Sequence, residues 1–150
     1  MPVIPVSELA QLEFKRTHSI SFVDGRLRFV PVPGAATPPA VPSVYAWMAM
    51  GEEQGEERGD LLYIGKAGSG VAARARQHEG GFIKSSSGRQ NAVALGAVLE
   101  QGGSVAVLTR VSGTIERFGQ VVSAVAIEEE ALIAKFQPPL NRAKPPRAIT

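Results

Sequence analysis

Two apolar stretches of strand length, separated by ten mostly polar residues, limit the folds open to this chain. The first is SVYAWMAM, residues 43–50, and the second is LLYIGKA, residues 61–67. Both patterns are typical of buried β-strands. The stretch between them, GEEQGEERGD, is too polar for a core. The pattern therefore predicts that the two strands pair as one long hairpin with a polar loop.

Three helical patterns and one further strand follow this hairpin. The strand is SVAVLTRVS, and the last helical pattern ends at Pro138-Pro139, since proline cannot continue a helix. The second helical pattern has Asn91 as its N-cap, and SSSGRQ before it reads as a loop. The predicted ranges are 71–79 (helix), 85–90 (loop), 91–101 (helix), 104–112 (strand) and 121–136 (helix). We expect an α/β (α+β) fold with a small three-stranded antiparallel sheet flanked by helices.

The N-terminal part of the chain has a different pattern. Ser7 is a good N-cap for a short helix over about residues 8–16, and residues 19–29 alternate as a hairpin with its turn at Asp24-Gly25. The next twelve residues, 31–42, hold five of the 11 prolines and predict a stiff extended connector. We therefore expect an N-terminal accessory arm with a Pro-rich linker at 1–40 and the main domain at 41–150.

Composition excludes several classes of protein. The 150 residues contain no cysteine, so a disulfide scaffold, a thiolate zinc site and a cysteine nucleophile are ruled out. No apolar run is long enough to cross a bilayer, and the N-terminus lacks a signal-peptide pattern. These observations predict a soluble, cytoplasmic protein without a membrane partner.

The net charge of +2 conceals an uneven distribution. Residues 51–60 hold five of the 14 acidic residues and only one of the 16 basic ones. The other 140 residues therefore carry 15 bases against nine acids, a net charge of +6. A basic body of this kind is suited to a polyanionic partner such as nucleic acid, although a solvated surface has the same composition.

A few polar residues are spaced so that one site could contain them. Tyr45 and Tyr63 lie in the two paired strands, so both hydroxyls can project from one sheet. Arg74 and His78 are four residues apart on a helix and share a face. Glu129 lies three and four residues before Leu132 and Ile133, so it shares their inward face. Glu130 is the alternative to Glu129 as the inward-facing carboxylate. Phenol, guanidinium, imidazole and carboxylate together suit phosphodiester hydrolysis.

Residues 43–141 contain an ordered set of motifs. Ser43-Val44-Tyr45 is followed by Tyr63-Ile64-Gly65 with Lys66 and Ala67, then by VAARARQH, and finally by EEALIAKFQPPLN. This set resembles the GIY-YIG nuclease family: Tyr63-Ile64-Gly65 is the second half of the motif intact, and Ser43-Val44-Tyr45 stands in the place of the first half. VAARARQH is similar to the family's arginine helix, which aligns Arg74 with the essential arginine. EEALIAKFQPPLN is similar to the closing signature, which aligns Glu129 with the metal ligand and Asn141 with the final asparagine.

The resemblance implies a metal-dependent DNA endonuclease that leaves 5′-phosphate and 3′-hydroxyl products. Glu129 would hold one Mg²⁺ or Mn²⁺, Arg74 would stabilise the transition state, and Asn141 would orient the site. Tyr45 or Tyr63, tuned by Lys66 or His78, would activate water. A further set of basic residues is assigned to DNA contacts: Arg76, Lys84, Arg89, Arg142 and Lys144.

Several alternatives stay open at the level of sequence. The Arg74–His78 pair resembles the restriction-enzyme branch, whereas a repair nuclease or an antibacterial effector nuclease of the same fold would need fewer recognition elements. A non-catalytic DNA-binding module is a rival of a different class, and a plain interaction protein with a coincidental YIG is a third. The DNA is expected to be double-stranded, and the sequence does not distinguish a monomer from a homodimer.

Overall fold

The computed structural model describes residues 3–53 and 55–141 and contains eight strands and four helices. The strands are β1 (Val3–Pro5), β2 (Lys15–Val23), β3 (Arg26–Pro31), β4 (Ser43–Glu53), β5 (Glu56–Ala67), β6 (Ser104–Val111), β7 (Thr114–Arg117) and β8 (Gln120–Ser123). The helices are α1 (Val6–Gln11), α2 (Val71–Lys84), α3 (Ser86–Glu100) and α4 (Val125–Phe136).

Six of the strands form one antiparallel sheet in the order β1-β5-β4-β6-β2-β3. The central strand β4 pairs with β5 along almost its whole length and with β6 on its other side. The predicted hairpin of two apolar strands is therefore confirmed, and it lies beside the third predicted strand. Strands β7 and β8 form a separate two-stranded sheet.

The sheet is covered on both faces. On one face, α1 and α4 pack on a cluster that includes Leu9, Val44 and Leu108. On the other face, α2 and α3 pack on a cluster that includes Trp47 and Leu95. Side chains that alternate along β4 and β6 supply both clusters, because successive residues of a strand point to opposite faces.

The predicted sheet of three strands is too small. Strand β2 of the N-terminal hairpin pairs with β6, and β3 extends the same sheet. The turn of this hairpin is at Asp24-Gly25 as predicted, with φ of 51° and 76°. Leu9 and Phe14 from the same N-terminal part belong to the main core. The residue-40 boundary thus lies in the connector between β3 and β4, and the residues on either side of it share one sheet and one core.

Helix α1 is displaced from the predicted range of 8–16. It begins at Val6 and ends at Gln11, and Glu13 then takes a left-handed backbone conformation with φ of 67°. This residue breaks the helical path, and Lys15 already begins strand β2.

The loop predicted at 85–90 is also wrong, because these residues form the first turn of α3. Ser85, not Asn91, is the N-cap, and its hydroxyl oxygen accepts a hydrogen bond from the Gly88 backbone N–H at 2.9 Å. Gly88 allows this arrangement, since a Cβ there would lie 2.1 Å from the Gly81 carbonyl oxygen of α2. The sharp α2–α3 junction thus depends on a tertiary contact that local propensity does not reveal.

The predicted helix over 121–136 begins four residues later than expected. Val121 and Val122 belong to β8, and α4 starts at Val125. A turn at Phe118-Gly119, with φ of 53° and 74°, folds these valines back onto β7. The β-branched valines suit a strand better than a helix.

Much of the predicted polar loop at 51–60 is strand. Strand β4 continues to Glu53 and β5 begins at Glu56, so the hairpin is longer than the apolar pattern indicates. In the described part of the chain, no helix is long and apolar enough to cross a membrane.

Candidate active site

A β-bulge in β5 arranges the aromatic side chains of the candidate site. Trp47 pairs with Tyr63 and Met48 pairs with Leu61, so Leu62 is an extra residue without a partner on β4. Leu61 packs in the cluster under α4, whereas Leu62 and Tyr63 both pack in the cluster under α2. Tyr63 therefore shares a face with Tyr45, and their ring centroids are 6.1 Å apart.

Gly65 makes room for the ring of Tyr45. The two residues are cross-strand partners, and a Cβ at position 65 would lie 2.3 Å from the Tyr45 hydroxyl oxygen and 2.4 Å from its Cζ. The Tyr45 ring thus lies flat across the strand at Gly65. Because the ring approaches so closely, only glycine fits at position 65 without moving the Tyr45 ring.

Helix α2 brings His78 against Tyr45. The Tyr45 hydroxyl and His78 Nε2 are hydrogen-bonded, and Tyr45 is only 1% exposed. Burial raises the pKa of Tyr45 well above 10, with a smaller contribution from Tyr63, while Arg74 acts in the opposite direction. Burial, together with the Arg74 charge, lowers the pKa of His78 to about 3. Both groups are therefore uncharged at neutral pH, and a single proton lies between them.

Aromatic rings surround His78 on several sides. Phe29 and Phe82 stack on it with centroids 6.0 and 6.2 Å away, and Trp47 meets it edge-on at 4.7 Å. This apolar enclosure is the physical cause of the low His78 pKa, because the imidazolium form would lose its hydration there. None of these three aromatic residues was predicted from the sequence as part of the site. Phe29 lies on the N-terminal hairpin, far from His78 along the chain, and no local pattern indicates that the two residues meet.

Glu129 approaches the same end of β5 from the opposite layer, on α4. Burial raises the pKa of Glu129, and Lys66 and Arg74 oppose the shift. Lys66 acts through its ammonium charge and through a hydrogen bond from its backbone N–H to the carboxylate. Arg74 influences both Glu129 and Tyr45, and its Nη1 donates a hydrogen bond to Gln77 Oε1 at 2.9 Å. Arg74 is therefore close enough to both the carboxylate and the phenol for its charge to act on each of them.

The neighbours of Glu129 have other surroundings. Glu128 Oε1 pairs with Arg110 Nε at 3.2 Å, and its Oε2 accepts a hydrogen bond from the Gly113 N–H at 2.9 Å. Glu130 is exposed. Arg110 Nη1 also donates a hydrogen bond to the Leu12 carbonyl oxygen at 2.9 Å. Arg110 and Glu128 are therefore occupied in structural contacts, away from the Tyr45–Arg74 group.

Asn141 pairs with strand β5 at its open edge. Its Oδ1 accepts from the Ile64 N–H at 2.8 Å, and its Nδ2 donates to the Ile64 carbonyl oxygen at 2.7 Å. Leu140 N–H also donates to the Leu62 carbonyl oxygen at 2.9 Å. The short strand β1 covers only residues 58–60 of β5. The asparagine side chain thus takes the place of a neighbouring strand where β1 no longer reaches.

Three of the predicted DNA-contact residues lie in the described part of the chain, and no described contact brings them to this site. Arg76, Lys84 and Arg89 lie exposed on α2 and α3. Arg142 and Lys144 lie outside the described residues. The DNA-contact assignments of all five residues stay predictions.

The described residues contain no cluster of three or more His, Cys, Asp or Glu side chains that could hold a metal ion. Glu129 is the half-buried carboxylate that the site offers. Mg²⁺ commonly uses one or two protein carboxylates and takes its remaining ligands from water and substrate phosphate. A single carboxylate beside two cations therefore fits a metal that is held jointly with a phosphate.

Comparison with solved structures gives a fold match. The chain is similar to a mutant of bacteriophage T4 EndoII, with a TM-score of 0.63 and 18% sequence identity over 90% of this chain and 97% of that one. A structure of restriction endonuclease HPY188I in complex with product DNA matches with a TM-score of 0.46 and 15% identity, over 98% and 87% of the two chains. No protein-family model matches the sequence, and no curated protein matches it. The first match establishes a shared fold.

Proposed function

We propose that this protein is a metal-dependent DNA endonuclease that hydrolyses phosphodiester bonds and leaves 5′-phosphate and 3′-hydroxyl ends. The observation that supports the proposal is the convergence of Arg74, Glu129 and the Tyr45–His78 pair at one end of β5, although they come from different elements and opposite layers. The fold shared with EndoII agrees with this function.

Arg74 has the chemistry needed to stabilise the transition state. Its guanidinium carries a permanent charge and can donate two parallel hydrogen bonds to phosphate oxygens. It lies near the only described carboxylate of the group, so a phosphate bound there would face both Arg74 and a metal on Glu129. Donors that are fixed in this way stabilise the charge that develops on the phosphate oxygens.

Glu129 would hold Mg²⁺ or Mn²⁺, with the phosphate and water as further ligands. The metal, when bound, would neutralise charge on the phosphate and polarise its bond to the leaving oxygen. Lys66, which is exposed beside Glu129, would add a second positive charge near the phosphate.

Tyr63 is better placed than Tyr45 to contact the attacking water. Tyr45 is buried and its hydroxyl is bound to His78, whereas Tyr63 is partly exposed at the same face. Tyr63 also interacts with the Tyr45 hydroxyl. We assign Tyr63, in its phenolate form, to orienting the attacking water and accepting its proton, and the Tyr45–His78 pair to fixing the position of the Tyr63 side-chain oxygen. Of the possible roles, we favour a restriction-type enzyme on double-stranded DNA, because His78 contacts the site one turn after Arg74.

The test is cleavage of supercoiled plasmid and of single-stranded DNA with Mg²⁺, Mn²⁺ or EDTA. Glu129→Ala and Arg74→Ala should each lower the cleavage rate by about 10²-fold or more while DNA binding is retained. Glu130→Ala is the matched control for Glu129→Ala, since it removes an exposed carboxylate from the same helix. This control should cleave like the parent protein.

The outcomes separate the alternatives. Discrete metal-dependent fragments would support a sequence-specific restriction-type enzyme, and a smear would support a repair or effector nuclease. DNA binding without cleavage under every condition would contradict the nuclease and favour a non-catalytic module. Full activity in Glu129→Ala would overturn the assignment of the metal ligand.

A further inference from the structure

The β7–β8 hairpin stands apart from the rest of the fold. Its strands pair only with each other among the described residues, and every strand residue except Ile115 is exposed. An isolated two-stranded hairpin has little stability of its own in water. The hairpin therefore adds little to the core, and its exposed side chains are free to contact a partner.

The tip of this hairpin carries an aromatic residue in an unfavourable position. Phe118 is fully exposed, at 101%, and its φ is 53°. With Gly119 at 74°, it forms the two-residue turn in which Asn-Gly is the favoured pair. A bulky side chain at positive φ is uncommon, and an exposed phenyl ring gains nothing from burial. Phe118 thus carries two local costs that no contact with the described residues offsets.

The base of the hairpin is fixed to the helix that carries Glu129. The Ala124 N–H donates to the Gly113 carbonyl oxygen at 2.9 Å, and Glu128 accepts from the Gly113 N–H at 2.9 Å. Glu128 is in turn paired with Arg110 of β6. Because Glu128 directly precedes Glu129, the start of the hairpin and the candidate metal ligand are held by the same helical turn.

We propose that the β7–β8 hairpin enters the minor groove of duplex DNA and that Phe118 wedges between stacked base pairs. This inference rests on the proposed nuclease function. Proteins that bend DNA from the minor groove insert apolar side chains such as Phe between base steps. Four-residue strands rise roughly 14 Å, which exceeds the ~7.5 Å depth of that groove.

The distribution of apolar side chains favours a groove over a flat protein surface. Val122 lies opposite Ile115 on one face of the hairpin, whereas Val121 lies opposite Glu116 on the other face. Val121 and Val122 are 68% and 46% exposed. Each face of the hairpin therefore presents one exposed valine, and the sugars on the two walls of the minor groove can contact both. The minor groove of B-DNA is only about 6 Å wide, so the kink at the wedge must also open the groove to admit the ribbon. The proposal predicts a preference for easily unstacked pyrimidine–purine steps such as TA.

The decisive variant is Phe118→Asn, because Asn-Gly keeps the turn and removes the wedge. Binding is measured without divalent metal, by fluorescence anisotropy on duplexes of about 30 base pairs with or without a central TA step. Bending is measured by energy transfer between dyes at the duplex ends. Val93→Gln removes another exposed apolar residue, on α3, and is the control.

The expected result is a loss of bending and roughly tenfold or more weaker binding in Phe118→Asn, with Phe118→Leu in between. The thermal unfolding midpoint of Phe118→Asn should be unchanged or higher. Val93→Gln should bind and bend DNA like the parent protein. If the parent cleaves DNA and Phe118→Asn binds and bends it equally well, the wedge is refuted while the nuclease stands. If Phe118→Asn instead turns a dimer into a monomer in sedimentation, the hairpin binds a second copy and the wedge is again refuted. A parent protein that neither binds nor cuts DNA would overturn both proposals.

Discussion

Replacing Gly65 by alanine should disrupt the candidate site, although the substitution replaces none of the predicted catalytic residues. The new Cβ would lie 2.3–2.4 Å from the Tyr45 hydroxyl oxygen and Cζ, whereas ordinary contacts between such atoms are near 3.5–4 Å. The Tyr45 ring would have to move by more than about 1 Å. This side chain is buried beside Trp47 and Tyr63, so no empty space is ready to receive it.

The cost has two physical sources. Overpacking a core position destabilises proteins by about 1–3 kcal/mol. Movement of Tyr45 also breaks its hydrogen bond to His78, and a buried bond of this kind contributes about 1 kcal/mol. We therefore expect Gly65→Ala to lower the unfolding free energy by about 2–4 kcal/mol. Cleavage by the folded fraction should fall by about 10²-fold, because a misplacement near 1 Å has effects of that size.

The control is Gly51→Ala in the neighbouring strand β4. A Cβ at Gly51 would meet no atom within 4 Å, and its φ is not positive. Both variants are compared by urea unfolding and by plasmid cleavage at a temperature where they are fully folded. A Gly65→Ala protein as stable and as active as Gly51→Ala would refute the close Tyr45–Gly65 contact on which the site is built.

Other predictions concern His78, Glu129 and Asn141. The pKa of His78 is about 3 in the folded protein, whereas an ordinary histidine, as in the unfolded chain, has a pKa of 6.5. Between these two pH values only the unfolded chain binds a proton at His78, so the free energy of unfolding falls as the pH drops below 6.5. Urea unfolding should show about 2–3 kcal/mol lost between pH 8 and 4.5 in the parent beyond the loss in His78→Gln, and equal losses would contradict the enclosure. The pH profile of kcat/KM should show no inflection from His78 near pH 6.5. At Mg²⁺ concentrations well below saturation, the acid limb should follow Glu129 of the metal-free site and lie above the pH at which a free glutamate titrates, because burial raises its pKa. A limb at or below that pH would contradict the burial of this carboxylate. Asn141→Ala should leave the Ile64 N–H and carbonyl oxygen unpaired and lower the thermal unfolding midpoint, because the unfolding free energy falls by about 1–3 kcal/mol. The exposed Gln101→Ala is the control and should leave the midpoint unchanged. An equally unchanged midpoint in Asn141→Ala would contradict a structural role for Asn141.

The sequence predicted local pairing well and long-range pairing poorly. The β4–β5 hairpin, strand β6 and the turn at Asp24-Gly25 follow from apolar runs and glycine, which are local signals. The pairing of β2 with β6 joins residues about 90 positions apart, and no local pattern specifies it. The start of α3 at Ser86 depends on the contact between Gly88 and Gly81, which exists only after α2 and α3 pack.

The candidate site shows the same division. The spacing of Glu129 relative to Leu132 and Ile133 predicted its inward face, and its carboxylate does meet the Lys66 backbone. The enclosure of His78 by Phe29 and Trp47 depends on the sheet order and could not be predicted from spacing. The catalytic and metal-binding roles of these residues stay predictions until the variants are measured.

The bulge at Leu62 has a consequence for how the chain can change in length. Deleting Leu62 would make Trp47–Tyr63 and Met48–Leu61 consecutive pairs, so neither half of β5 would exchange faces. Deleting one residue between Tyr63 and Ala67 would instead slip that half of the strand and turn its side chains to the opposite face. The bulge is therefore the position in β5 where an insertion or deletion of one residue leaves both layers intact. The number of residues between Tyr45 and Tyr63 is then free to be odd or even, so that spacing alone is a weak criterion for recognising this site in other chains.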